Sequence, residues 1–336
     1  MKKILVTGGA GYIGSHVCKE LNKAGYEIVV FDNLSTGFKE AVKWGELIVG
    51  DLANTDLLES VFKQYKIHAV LHFAGSIVVP ESVTNPLMYY SNNTVNSQKL
   101  IELCVKYKVE NFVFSSTAAV YGELENGVAV ETLPTNPINP YGTSKLMTEM
   151  MLKDVSAAHE NFNYVALRYF NVSGADPDLE IGQAFPGATH LIKVSCEAAV
   201  GTRPGINIYG TDFDTEDGSG VRDYIHVVDL ASAHLSALNF LEVSRKSEVF
   251  NCGYGQGFSV KQVVSAVKEV TGVDFQVEEV GRRAGDPATL VSNAEKIRTH
   301  TNWNPAHADL NFIIQTAYNW EKSDDLKRWK QKRAES

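Results

Sequence analysis

No stretch of this chain is apolar for long. None approaches the ~20 residues that a membrane-spanning helix needs, so no membrane partner is expected. The opening MKKILVTGGAG begins like a secretion signal, but its apolar run stops after three residues and glycines follow, so a first strand is expected there. No long basic run occurs either. The net charge is −9 and cations gather only near the end, which disfavours a nucleic-acid partner. Cysteine is scarce. Cys18, Cys104, Cys196 and Cys252 lie far apart and make no CxxC pair, so they are read as small buried apolar side chains, and no metal site is expected. There is no repeat and no low-complexity linker. A reducing, cytoplasmic setting is the simplest reading.

What is present is enough for a large core: 336 residues, 44% of them hydrophobic. The first half alternates short β-rich runs with longer helical patterns. Strands are expected at Ile4–Thr7, Glu27–Phe31, Leu47–Val49, Ala69–Phe73, Phe112–Ser115 and Tyr164–Leu167. Helices are expected at Gly11–Ala24, Thr55–Tyr65, Pro86–Tyr107 and Tyr141–His159. The strands read as near-continuous apolar runs, the mark of a parallel sheet covered on both faces. After about Asn171 the rhythm loosens. Helices are expected at Ala188–Val200, Val227–Leu241, Val260–Val270 and Asp309–Trp320, and strands at Val249–Cys252 and Phe275–Val277, among Gly/Pro/Asp-rich loops. The fold class expected is α/β: a Rossmann-type, doubly wound parallel sheet over residues 1–180 with a smaller α/β substrate domain over 181–336. The border is soft, because the chain can return to the first domain around Val227–Cys252. The basic stretch Lys327–Arg333 reads as a solvated tail.

The first strand runs into Gly8, Gly11 and Gly14, spaced G-x-x-G-x-x-G, and then into a helix. Glycines there permit a tight turn, let backbone N–H groups approach a pyrophosphate, and let the helix pack close to the strand. Tyr12 and Ile13 lie inside the turn and join the candidate cofactor contacts. Asp32, with Asn33 after it, ends the second strand 18 residues past Gly14. A carboxylate there accepts from ribose hydroxyls and repels a 2′-phosphate, so NAD is favoured over NADP. Asp51 and Leu52, at the next strand end, are candidates for adenine. Phe73, Ala74 and Gly75 end another strand, where a backbone can pass close to a dinucleotide. Asn92 is a weaker candidate, because a mid-helix amide also serves neighbouring backbone.

The catalytic candidates are Tyr141, Lys145 and Thr117. Tyrosine ionises near ~10, too high for a base at neutral pH. Lys145, four residues on, shares its helix face and brings positive charge that favours the phenolate. Thr117 ends the strand that carries Ser115 and offers a hydroxyl to share a substrate proton. The Tyr–x₃–Lys spacing alone is weak evidence, since Tyr318 and Lys322 repeat it without a Ser/Thr strand end upstream.

These motifs resemble the extended short-chain dehydrogenase/reductase superfamily. The stretches TGGAGYIGSH, FDNLS, HFAG followed by PESV, FSSTAAVYG, PYGTSKLMTE, LRYFNVSGA, TEDGSGVRDYIHVVDLA and RRAGDPA resemble its UDP-glucose 4-epimerase family, over nearly the whole chain. The resemblance implies tightly bound NAD and reversible C4 epimerisation of UDP-glucose and UDP-galactose through a 4-keto sugar. It makes Tyr141 the base and acid, with Lys145 on the nicotinamide ribose and Thr117 on the sugar 4-OH. Ser115, Tyr169 and Phe170 join the cofactor set. Asn171 should touch the UDP-sugar, Arg222 and Arg283 its diphosphate, Tyr209 uracil and Asp286 a ribose. A homodimer follows from the same resemblance.

Two rival readings remain. A 4,6-dehydratase on this scaffold follows the Thr with an acidic pair, where this chain has Ala118-Ala119. A non-catalytic NAD-binding regulator has no need of Thr117, Tyr141 and Lys145 together. Three positions depart from the family pattern. Ile77 stands where a Lys often reaches the cofactor. His190, beside Leu191, replaces a frequent Asn at the nucleotide-sugar. Leu290 falls where a pocket-wall Tyr, Cys or Ser sets sugar size, leaving N-acetylhexosamine and pentose substrates as alternatives.

Overall fold

Seven apolar runs lie side by side as a fully parallel sheet, ordered Glu248–Cys252, Asn163–Tyr169, Asn111–Thr117, Ile67–His72, Lys3–Thr7, Glu27–Asp32, Glu46–Val49. The structure, a computed structural model, describes residues 2–283 and 285–335. Ala284, within the RRAGDPA stretch, lies outside the described residues. The sheet buries both faces, which is why its strands carry no polar alternation. In the first strand Ile4 and Val6 join one core cluster, with Val17 and Leu21 of the Tyr12–Lys23 helix and Leu230, Ala237 and Leu241 of the Val227–Ser244 helix. Leu5 faces the other way, toward Leu58, Phe62, Leu100, Cys104 and Leu152. Each such fully buried side chain contributes about 1.5–3 kcal/mol over leaving it exposed. The four cysteines are free and buried.

The strand order reverses beside Lys3–Thr7, whose neighbours are Glu27–Asp32 and Ile67–His72. In open α/β sheets that reversal opens a crevice at the carboxyl ends of the strands. A second region packs across it. Val221–His226 is flanked by Gly257–Ser259, Thr289–Ser292 and Asn171–Ser173, with Val128–Ala129 beyond Thr289–Ser292. A separate parallel pair joins Gly205–Tyr209 to Gln276–Val280. The helices Leu191–Ala199, Val260–Thr271 and Leu310–Lys322 pack together through Ile192, Cys196, Val263, Val267, Ile313 and Ile314.

Two expectations are corrected. The helix read as Pro86–Tyr107 is broken by a wide π turn at Tyr90–Val95, between Pro86–Tyr89 and Asn96–Lys106. Side-chain hydroxyls enter its ladder there: Ser97 Oγ donates to the Asn93 carbonyl, and Thr148 Oγ1 donates to it at 3.4 Å. The stretch read as a solvated tail lies within a helix, Asp324–Glu335. Leu326 and Trp329, three residues apart, bury one stripe of it against Phe38, Ala41 and Trp320. Two apolar residues in a charged run gave too faint a period to read.

Candidate active site

The helix that carries Tyr141 and Lys145, Pro140–Ala158, begins where its sequence says it should. Asn139 caps it, its Oδ1 accepting from Gly142 N at 2.9 Å, and Pro140 supplies a first-turn residue with no N–H to satisfy. Tyr141 thereby lies in the first turn and Lys145 one turn further on. The Asn111–Thr117 strand ends beside them, and the Thr117 side chain acts on the Tyr141 phenol in favour of its ionised form. Burial raises the Tyr141 pKa above its ordinary 10, and Thr117 works in the opposite direction. Lys145 is buried, and its Nζ donates to the Ser115 carbonyl at 2.8 Å, 5.0 Å from the centre of the Phe114 ring. Burial lowers its pKa to about 8. The ammonium is thus aimed at the strand end rather than at the phenol, a difference from the simple face-sharing picture.

A connector that the sequence reading passed over ties this helix to the neighbouring loop. Asn93 is buried in the π turn. Its Oδ1 accepts from Ser76 N at 2.7 Å, and its Nδ2 donates to the Ser76 carbonyl and to Ser144 Oγ, both at 3.0 Å. Asn92, the residue singled out, donates to Ser76 Oγ at 2.9 Å. A Cβ on Gly75 would lie 3.0 Å from Asn93 Oδ1 and 3.6 Å from Lys145 Nζ, so glycine is what lets these groups converge. The only local signal was a pair of asparagines in a helical pattern.

The glycine turn forms a cradle with no room for side chains. Gly8 has φ +75°, and a Cβ there would meet Ala74 N at 2.6 Å. On Gly14 it would meet the Gly8 carbonyl at 2.3 Å. The Tyr12–Lys23 helix has no side-chain cap at Gly11, so its first N–H groups face the crevice as donors for an anion. The Tyr12 phenol donates to the Gly174 carbonyl at 2.6 Å and pins the turn to the far side. Asp32 is buried at its strand end, accepting from Ala10 N at 3.0 Å and Leu34 N at 2.8 Å. Burial raises its pKa against those two bonds. Asn33 donates to Asp51 at 2.7 Å, joining the two adjacent strand ends. The Phe73 and Ala74 N–H groups donate to the Thr7 carbonyl at 2.9 and 3.1 Å. Tyr169 donates to Ser115 Oγ. This set suits a dinucleotide: a glycine cradle, a helix start and a carboxylate at the adjoining strand end.

One cavity of about 1340 Å³ gathers the candidates. Gly8, Gly11, Tyr12, Ile13, Gly14, Asp32, Asn33, Asp51, Leu52, Phe73, Ala74, Gly75, Asn92, Ser115, Thr117, Tyr141, Tyr169 and Phe170 line it, and Ile77 lines it too. Asn171, His190, Leu191, Tyr209, Arg222, Arg283, Asp286 and Leu290 line it as well. Lys145 alone lies outside the lining. Tyr318 and Lys322 also lie outside it, the ammonium 5.0 Å from its own neighbour's ring on a separate helix.

On the far side the polar candidates pair with one another. Arg222 Nη2 lies 3.5 Å from Asp286 Oδ1, and Arg222 Nη1 donates to the Val221 carbonyl at 2.9 Å. The Arg283 guanidinium sits 3.5 Å above the Tyr209 ring and lowers that phenol's pKa. Burial raises the Tyr224 pKa, while Arg222 and Asn171 act on that phenol in the opposite direction. His190 directly precedes the Leu191–Ala199 helix, its Nδ1 3.0 Å from Gln183 Nε2. Burial first, then Lys193, lowers its pKa. Gln183, Phe185 and Tyr224 line the cavity and were not singled out, although Tyr224 lies within the TEDGSGVRDYIHVVDLA stretch. Among the described residues, one carboxylate cluster is close enough to hold a metal: Asp176, Asp178 and Glu180. Lys19 already sits among them, 2.7 to 2.9 Å from all three.

The NAD dependent epimerase/dehydratase family matches residues 4–253. A UDP-glucose 4-epimerase from Azospirillum brasilense is 52% identical over 322 residues, covering 96% of this chain and 92% of that one. Among solved structures, a UDP-Glc/GlcNAc 4-epimerase from Campylobacter jejuni is 51% identical, with TM-score 0.84 over 96% of this chain and 99% of that chain. A UDP-glucose-4-epimerase from Stenotrophomonas maltophila, with bound NAD and formylated UDP-arabinopyranose, is 36% identical, with TM-score 0.93 over 98% and 99%.

Proposed function

The chain belongs to the NAD dependent epimerase/dehydratase family, and on that footing we propose that it interconverts UDP-glucose and UDP-galactose by reversible epimerisation at C4, as an NAD-dependent isomerase. One observation carries this reading above the others. Thr117 and Tyr141 line one cavity together with the glycine cradle and the arginines of the far side, and Thr117 favours the Tyr141 phenolate. The glycine cradle and Asp32 would hold NAD, which would supply the hydride acceptor and donor for the sugar C4.

The residues divide the remaining work. Tyr141 removes the proton of the sugar 4-OH and later gives it back. Because burial raises its pKa, the phenolate needs help from the Thr117 hydroxyl and from positive charge, which Lys145 brings from one turn along the helix. Lys145 also serves the nicotinamide ribose from beneath the cavity. Arg222 and Arg283 receive the diphosphate, exchanging Asp286 and the Tyr209 face for charge-assisted bonds to phosphate oxygens. Asp286 and Tyr209 are then released to ribose and uracil. Ala118 and Ala119 carry no acid, so water loss from the sugar has no catalyst where a dehydratase keeps one.

Leu290 on the cavity wall is shorter than a tyrosine and leaves space beside the sugar. The Campylobacter jejuni relative is named for both glucose and N-acetylglucosamine, and we extend partial tolerance of N-acetylated sugars to this chain. Residues 1–180 form the NAD-binding part and 181–336 the UDP-sugar part, with the segment around 227–252 serving the first. The chain acts as a homodimer in the cytoplasm. Leu87 and Met150 stand 76% and 58% exposed on the helices Pro86–Tyr89 and Pro140–Ala158, which offers an apolar face for a second copy. No described helix is long and apolar enough to cross a membrane.

The test compares turnover on UDP-galactose, UDP-N-acetylgalactosamine and UDP-xylose. UDP-galactose is expected to be fastest, and preference for the pentose would overturn the assignment. Tyr141→Phe should lose turnover by about 10²–10⁴ while NAD still co-purifies. A Phe variant with full turnover would remove Tyr141 from its role.

A further inference from the structure

We propose that the C-terminal helix, Asp324–Glu335, is a strap that sets the affinity for NAD, with Arg333 as the positioning residue for the loop that follows Asp32. The inference rests on the dinucleotide reading of the cavity and extends it to residues more than 290 positions away.

The loop needs an outside hold. It leaves Asp32 through Leu34, whose φ of +58° lies in the left-handed region that L side chains rarely adopt. The Asp32 carboxylate accepts from Leu34 N, and the next turn is closed locally by Asn33. Beyond that, Ser35, Thr36 and Phe38 line the cavity. The loop also rests on the glycine turn, with Phe38 N donating to the Ala10 carbonyl at 3.0 Å. A Cβ on Gly37 would meet the Ala10 carbonyl carbon at 2.9 Å. Any shift of this loop is therefore felt both at Asp32 and at the cradle.

Arg333 supplies the hold. Its guanidinium donates to three successive loop carbonyls: Ser35, Thr36 at 3.2 Å and Gly37 at 3.2 Å. It also lies 4.7 Å above the Phe38 ring. A planar fork of donors can span three carbonyls at once, which a lysine ammonium does less well. One residue earlier, Lys332 pairs with Glu40 at 3.5 Å. One turn back, Trp329 stacks on Phe38 at 6.1 Å between ring centres and reaches the cavity itself. Trp329 and Leu326 share a buried cluster with Phe38 and Ala41 of the loop and with Ile181 and Ala184 of the segment on the opposite rim. The helix thus touches the cofactor loop with an arginine, a lysine and a tryptophan, while Trp329 also packs edge-on against Trp320.

The loop's left-handed residue and its position against Asp32 are preset only while the strap is in place. Without it, ligand binding must order the loop as well as fill the cradle, and the affinity falls by that ordering cost.

The decisive experiment uses the full-length chain, stripped of cofactor, with Arg333→Ala and Arg333→Lys beside it. Calorimetry gives the Kd of NAD and, separately, of UDP; thermal melts report folding. Arg333→Ala should weaken NAD binding on the order of tenfold, the scale of one lost charged hydrogen-bond set. UDP affinity should stay within about twofold, and Arg333→Lys should recover only part of the loss. A chain ending at Ser323 should lose more NAD affinity than the point variant. If that truncation fails to fold, Arg333→Ala still decides. Unchanged NAD affinity in Arg333→Ala overturns the strap, as does an equal loss for NAD and UDP. A parent chain that binds no NAD sinks the dinucleotide reading itself, which separates the two failures.

Discussion

Lys145 is held at a cost in stability, and that cost has a pH signature. Burial lowers its pKa to about 8, from 10.5 in an unfolded chain. Between those two values the folded chain binds fewer protons than the unfolded one, so stability rises with pH across that window. Near pH 7 the penalty for keeping the ammonium buried is about 3 kcal/mol, falling to about 1 kcal/mol near pH 9.5. Lys145→Met keeps the length of the side chain and removes the charge. It also strips the Ser115 carbonyl of its 2.8 Å donor, worth about 1 kcal/mol. The variant should therefore be more stable than the parent by about 2 kcal/mol near pH 7 and close to equal near pH 9.5. Turnover should be lost at both. Urea unfolding of the cofactor-free proteins, followed by tryptophan fluorescence at the two pH values, measures the gap. A gap that stays constant or widens with pH would refute the reasoning, whatever its size at neutrality.

Two further outcomes are expected. Gly14→Ala should cost on the order of tenfold or more in NAD affinity, because its Cβ would sit 2.3 Å from the Gly8 carbonyl; calorimetry with NAD reads this, and unaltered binding would show that the cradle can relax. Glu149→Ala should destabilise the fold by about 3–5 kcal/mol, since it strands the buried Arg168, whose Nη2 lies 2.6 Å from Glu149, and removes the acceptor of Ser116 Oγ. Urea midpoints measure it, and replacing both partners by Leu and Met should recover most of the loss.

The parallel sheet and the glycine turn with its adjoining strand ends were readable because each is coded locally. Ile4 to Thr7 is apolar on both faces, and Gly8, Gly11, Gly14 and Asp32 fall within one strand–helix–strand stretch, where spacing alone fixes who meets whom. Val221–His226 was not read as a strand, because Arg222, Asp223 and His226 interrupt its apolar run. It is nonetheless central in its sheet. Asp223 is tolerated there because its carboxylate accepts from Tyr254 N, Gly255 N and Ser292 N, groups 31 to 69 residues away. The pairing of Arg222 with Asp286 and the seat of Arg283 on Tyr209 are likewise long-range, as is Arg333 on the loop after Asp32. Sequence spacing carries no information about such partners. The π turn was hidden for another reason: its cause, hydroxyls of Ser97 and Thr148 reaching the Asn93 carbonyl, changes no periodicity that a residue pattern displays.

The place of Glu248–Cys252 at the edge of the seven-stranded sheet bears on how the chain comes into being. Its ladder partner, Asn163–Tyr169, is synthesised some eighty residues earlier, and the Tyr12–Lys23 helix waits still longer for the Val227–Ser244 helix that covers it. Until Cys252 has left the ribosome, the nascent first half carries a raw hydrogen-bonding edge and an uncovered apolar helix face, both of which invite wrong partners. The strand that carries Thr117, Asn111–Thr117, lies next to Asn163–Tyr169, one place inward from that nascent edge. The working site is thus assembled late, when the chain has looped back to close the sheet that carries it.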